Sequence, residues 1–212
     1  MKIAVINGSP KLKNGTSSFL LQKIESMISS ENEIFHYNIS KNPLTAQQYR
    51  ELCSMDTLLF AFPLYIDAIP SHLFRMLAAL EDYIKTERQN PIYVYAILNN
   101  GFYEGRQNHI AISILQNWCL RTGLQFGRGI GLGAGEMMNF IEKVPLGHGP
   151  QKNLGNALRQ LADSINSRST GEVMYISPNF PRFAWKFNGT HFFWNATAKT
   201  NGLKKKDILK RL

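Results

Sequence analysis

The chain has 212 residues, 44% apolar and 18% charged, with a formal net charge of +9; this suffices for one well-buried α/β domain with an appendage, not for two large domains. The aromatic and aliphatic content excludes disorder as the default, and no apolar run approaches the roughly 20 residues of a membrane span. From Gly171 onward there are eight Lys or Arg against two Asp or Glu, leaving sixteen against thirteen for residues 1–170, so the larger part lacks the basic face that nucleic-acid binding requires.

No basic segment followed by an apolar run opens the chain, so no export signal is expected and the chain reads as cytoplasmic. Lys2 to Ile6 is short, apolar and partly β-branched, the pattern of a central parallel strand covered on both faces. Asn7 ends it, and Gly8 to Ser18 supplies glycines, a proline, small hydroxyls and two lysines before helical spacing begins at Leu20, Ile24, Met27 and Ile28. A helix start leaves about four N–H groups unpaired and carries roughly half a positive charge, and a phosphate satisfies both. Hydroxyls of Ser9, Thr16, Ser17 and Ser18, the open backbone at Gly15, and Lys11 or Lys13 complete such a cradle. The bland alternative is a strand-to-helix turn capped by Thr16 or Ser17. The loop is longer than the usual 2–6 residues, which favours the anion.

Two nucleotide motifs fail on these residues. Six residues separate Gly8 from Gly15 and no Lys-Ser or Lys-Thr follows, so the P-loop pattern is absent. Gly8 has no glycine two positions on, so the dinucleotide fingerprint is absent as well; Gly129, Gly131 and Ala134 fit its looser form only within a late alternating glycine run.

Glu33 to Ile39 alternates as a second strand near a sheet edge, and a short polar helix follows around Thr45 to Cys53. Asp56 to Phe62 is a second continuous apolar strand. It runs into Pro63-Leu64-Tyr65-Ile66-Asp67-Ala68-Ile69-Pro70, an unusually apolar loop that either forms a flat platform or packs under the next helix. That helix begins at Pro70 or Ser71 and shows Leu73, Leu77, Leu80 and Ile84 on one stripe; His72 in its first turn reads as a terminal polar residue rather than a catalyst. Pro91 to Leu98 is a further buried strand, ending in Asn99-Asn100-Gly101-Phe102-Tyr103-Glu104-Gly105. A helix from about Gln107 to Arg121 stops at Gly123, a fifth strand lies within Leu124 to Gly135, and Gln151 to Asn166 is the final helix of the repeat. Cys53 and Cys119 stand apart and read as buried free thiols, and the five histidines lack metal-ligand spacing, so no metal is implied.

Five β-α repeats imply a parallel sheet with right-handed crossovers and helices on both faces. Ligands of such sheets sit outside the carboxyl ends of the strands. A phosphate cradle, an apolar platform and an amide-rich glycine loop meet there, which describes a site for a flat ring carrying one phosphate.

With GSPKLKNGTSS at 8–18, PLYIDAIPSHL at 63–73 and NNGFYEG at 99–105, the chain resembles the flavodoxin-like NAD(P)H-dependent FMN reductases and quinone reductases over roughly residues 1–167. The resemblance implies a doubly wound five-stranded sheet of order 2-1-3-4-5 and FMN as cofactor. It implies NAD(P)H as co-substrate and a small-molecule acceptor such as a quinone or flavin. Ser9, Lys11, Asn14, Gly15, Thr16 and Ser17 would hold the phosphate. Pro63, Leu64, Tyr65 and Ile66 would lie against the ring, and Asn99, Asn100, Gly101 and Phe102 would meet its pyrimidine edge. No side-chain acid or base is assigned. Rival readings are a flavodoxin-type electron carrier, disfavoured by the basic balance, and a flavin-free binding module on the same fold.

Residues 1–170 form the expected domain and 171–212 an extension. From Ser177 it crowds Phe180, Phe183, Trp185, Phe187, Phe192, Phe193 and Trp194, followed by Lys204-Lys205-Lys206 and Lys210-Arg211. It reads as an arm packing on its own domain or on the partner of a homodimer, or as a weak membrane-surface contact. Packing is favoured because Gly189 and two prolines should interrupt a long amphipathic helix.

Overall fold

In a computed structural model, residues 1–11, 15–39, 42–207 and 210 are described. The strands are β1 (Lys2–Asn7), β2 (Glu33–Asn38), β3 (Thr57–Pro63), β4 (Tyr93–Asn99), β5 (Gln125–Leu132) and β6 (Met174–Ile176). They form one parallel sheet of order β2-β1-β3-β4-β5-β6. The expectation of five strands is corrected: β6 pairs Met174 and Ile176 with Ile130 and Leu132. It escapes a sequence reading because its three half-exposed or exposed residues carry no buried-strand pattern.

The helices are α1 (Thr16–Glu25), α2 (Ala46–Cys53), α3 (Ser71–Glu87), α4 (His109–Thr122) and α5 (Lys152–Ser167). Strand side chains alternate between two cores, which is why the central strands are apolar throughout. Ala4, Ile6, Leu58, Phe60, Val94 and Ala96 pack with Leu52, Leu73, Leu77 and Leu115 beneath α2, α3 and α4. Ile3, Val5, Leu59, Ala61, Tyr95 and Ile97 pack with Leu20, Ile24, Leu158 and Ile165 beneath α1 and α5.

Local signals set the boundaries. Thr45 and Gln48 form a capping box at the start of α2, and Gly123 at φ 67° ends α4. The alternating glycines of β5 have a packing cause rather than a nucleotide one. A Cβ at Gly131 would lie 2.8 Å from the Gly105 carbonyl oxygen, so the loop after β4 can cross β5 only where side chains are missing.

The chain divides into two compact units, Met1–Pro178 and Asn179–Leu212. The second holds α6 (Arg182–Asn188), a π-helical stretch Gly189–Trp194 and α7 (Asn195–Thr200). Among the described residues no helix is long and apolar enough to cross a membrane.

Candidate cofactor site

The strand order reverses direction between β1 and β3, where a doubly wound sheet opens a crevice at its carboxyl edge. Asn7 organises the first loop there. Its Oδ1 accepts from the Ser9 N–H at 3.0 Å, and its Nδ2 donates to Ser18 Oγ at 3.0 Å. Ser9 Oγ accepts from the Lys11 N–H at 3.2 Å, so an Asx turn hands the chain to a second side-chain turn. Gly8 donates to the Ala61 carbonyl at 2.9 Å. A Cβ on it would come within 2.7 Å of Leu73 and 3.1 Å of Phe62, so the loop is seated against α3 and β3.

Helix α1 starts after Gly15 with neither a capping side chain nor an acidic residue in its first turn. Thr16 Oγ1 instead donates to the Gly135 carbonyl at 3.0 Å, and Ser17 Oγ accepts from Asn99 Nδ2 at 3.1 Å. The turn capped by Thr16 or Ser17 is therefore absent, and the positive end of the helix faces the loop with no carboxylate from its own first turn to neutralise it. A Cβ on Gly15 would sit 3.5 Å from Lys11 and 3.6 Å from Ser9 Oγ. Asn14 lies outside the described residues.

The second loop forms one wall. The Leu64 N–H donates to the Asn99 carbonyl at 2.8 Å, and Tyr65 and Ala68 exchange backbone bonds across a two-residue turn. That turn puts Ile66 at φ 48° and Asp67 at φ 59°. A β-branched residue in the left-handed region is an outlier that costs about 1–3 kcal/mol. Ile66 is 99% exposed and Tyr65 45%, so neither is packed under α3.

Asn99 and Asn100 are buried at the third loop. Asn99 Nδ2 donates to Phe62 O at 3.2 Å as well as to Ser17. Asn100 Oδ1 accepts from the Phe102 N–H at 2.8 Å, and its Nδ2 donates to Glu104 O at 3.3 Å. Both amides thus fasten loops to one another. Gly101 has open space where a side chain would stand.

Ser9, Lys11, Thr16 and Ser17 from the first loop share a single cleft with Pro63, Leu64 and Tyr65 from the second and Asn99, Asn100 and Gly101 from the third. Gly15, Ile66 and Phe102 do not line it, and Phe102 is 54% exposed. The sequence reading missed Glu136, which lines the cleft from a 3-10 turn, Gly135–Phe140, after β5. Long-range bonds place that turn: Gly135 donates to the Asn100 carbonyl at 2.7 Å and accepts from Thr16. No local pattern encodes them.

Of the titratable groups near the loops, His72 stands out. Its Nε2 is buried without a partner. Desolvation holds the imidazole below its ordinary value of 6.5, opposed by a bond to the Gly8 backbone, which favours the neutral ring. Burial raises the Cys53 thiol to about 11 and Cys119 to about 12, so both are inert near neutral pH.

No protein-family model matches this sequence, and no curated protein matches it by sequence. Solved structures match by fold. An NADH:FMN oxidoreductase in its apo form superposes with a TM-score of 0.60 at 16% identity, over 87% of this chain and 98% of that one. An NADPH-quinone reductase from P. pentosaceus gives 0.56 at 14% identity, over 76% and 98%. An FMN-dependent NADH-azoreductase from Bacillus anthracis, solved in complex with FMN, gives 0.53 at 14% identity, over 78% and 100%. This chain has the fold of those proteins.

Proposed function

We propose that the protein binds FMN in this cleft and passes hydride from NADH or NADPH to a small acceptor such as a quinone, a flavin or an azo compound. The observation that supports it most is the convergence of three strand-end loops on one cleft with a charged, hydroxyl-rich end and an apolar wall. The donor set suits the cofactor. An α1 start without a side-chain cap, Lys11 and the hydroxyls of Ser9 and Ser17, which accept in the structure and keep their protons to donate, match a phosphate dianion, with Thr16 holding the cradle to Gly135. Structures of like fold include an FMN-dependent azoreductase and a quinone reductase.

Bound FMN would supply the hydride chemistry itself. The chain's residues do the rest. Lys11 and the first turn of α1 anchor the phosphate, fixing the position of the whole ligand. Pro63, Leu64 and Tyr65 exclude water from one face of the ring and leave the other for nicotinamide and acceptor in turn. Gly101 lets the ring edge approach backbone. Glu136 is an acceptor for hydroxyl donors of the sugar-alcohol chain. The reading places the protein in the cytoplasm as a homodimer, with a second copy covering the exposed rim at Ile66 and Phe102.

Anaerobic addition of NADH or NADPH to the FMN-loaded protein tests the proposal. Loss of flavin absorbance without any added reductase is expected. Bleaching only when a separate reductase is supplied would make the protein an electron carrier instead.

A further inference from the structure

The C-terminal unit contains a helix that its sequence did not lead us to expect. Pro178 and Pro181 precede it, and Gly189 does not break it: Asn188 (φ −62°, ψ −45°), Gly189 (−57°, −42°), Trp194 (−67°, −45°) and Asn195 (−66°, −37°) are all helical. Arg182 to Thr200 is therefore one continuous rod through α6, the π stretch and α7.

Phe183 and Phe187, four residues apart, share a face. In an α-helix a residue five positions on would turn away. The wider π winding keeps Phe192 within 6.5 Å of Phe187, and His191 within 4.3 Å. Phe183, Phe187, Phe192 and Trp194 are 79%, 56%, 71% and 58% exposed. The hydroxyls of Thr190 and Thr200 donate back to the carbonyls of Lys186 and Ala196, each at 3.0 Å, so those polar groups are satisfied within the helix.

Charge accompanies the aromatics. From Asn179 onward the sequence has eight Lys or Arg and one acidic residue, Asp207, which is +7 of the chain's +9. Asp207 is itself paired with Lys210 at 2.8 Å.

We propose that this arm is an in-plane membrane anchor, laying Phe183, Phe187 and Phe192 into the headgroup boundary of an anionic bilayer while its lysines meet the lipid phosphates. The rod lies on the bilayer because it is not apolar enough to cross one. A second copy of the arm is a poor occupant, since two surfaces of charge +7 repel each other. Single-stranded nucleic acid stacks its bases on aromatics set in a basic groove, whereas here the phenyl rings lie along a convex helix. The proposal is independent of the flavin reading, because it concerns the second unit alone.

Cosedimentation of the full chain with phosphatidylcholine vesicles, with and without phosphatidylglycerol, tests it. Binding about tenfold stronger to the anionic vesicles and weakened by high salt is expected. The double change Phe183→Ser and Phe187→Ser should reduce binding about tenfold while FMN uptake and circular dichroism stay unchanged. Lys204→Glu with Lys206→Glu, both exposed positions, should lower the arm's charge from +7 to +3 and weaken the preference for anionic lipid. Equal binding by the phenylalanine variant, absence of anionic preference in the parent chain, or tighter binding to a single-stranded oligonucleotide than to the vesicles would overturn the proposal.

Discussion

Replacing Asn99 by alanine removes one amide that ties three loops together. Its Nδ2 holds Ser17 Oγ at 3.1 Å and the Phe62 carbonyl at 3.2 Å, and the residue is 6% exposed. Each bond contributes about 0.5–1.5 kcal/mol net, and a buried group left without a partner costs about 1–3 kcal/mol. Water reaches so closed a position poorly, so Asn99→Ala should lower unfolding free energy by about 2–4 kcal/mol. The same change unfastens the start of α1 from the end of β3, so FMN affinity should fall about tenfold, equivalent to about 1.4 kcal/mol of lost preorganisation. Urea unfolding followed by far-ultraviolet circular dichroism gives the first number, and quenching of FMN fluorescence gives the second. A variant within about 0.5 kcal/mol of the parent, the range of ordinary surface changes, would show that this amide does not organise the loops.

Lys11→Ala should weaken FMN binding at least about tenfold, the worth of one charge-assisted bond, and leave riboflavin binding unchanged, which parallel fluorescence titrations separate. Ile66→Gly should raise stability by about 1 kcal/mol by relieving the left-handed strain at φ 48°; a loss in the urea midpoint would mean that the turn is not strained. The thiols predict an alkaline limb. Their ordinary value is 9.0 and burial raises them to about 11 and about 12, so the unfolded chain releases these protons first. The thiols' contribution to stability should then be constant below pH 9.0 and be lost above it, so the alkaline fall should be less steep in a Cys53→Ala, Cys119→Ala double variant. His72 acts at the other end: its proton is bound more weakly in the folded state, so stability should decline as pH falls through 6.5. His72→Gln should flatten that acid limb.

What the sequence disclosed follows from how local its causes are. Thr57–Pro63 is buried along nearly its whole length because helices cover both faces, and continuous burial writes a continuous apolar run. The three loops were legible for the same reason, each following directly from such a strand. Glu136 was not, since its turn is held by Thr16 and Asn100, more than thirty residues away in each case. The exposure of Ile66 and its left-handed backbone were hidden because isoleucine disfavours that conformation, so composition argues against what the closed turn imposes. The tail misled in the opposite sense: Gly189 lowers helix propensity by about 1 kcal/mol, yet the flanking aromatic segment continues through it as helix.

The central claim is that these loops together hold a phosphorylated planar cofactor, and equilibrium titration of the purified full chain with FMN, read by fluorescence quenching and repeated with riboflavin, tests it most directly. Saturable binding of one FMN per chain, markedly tighter than riboflavin and weakened by inorganic phosphate, is the expected result. Absence of quenching at high FMN concentration, or equal affinity for the two flavins, would contradict it.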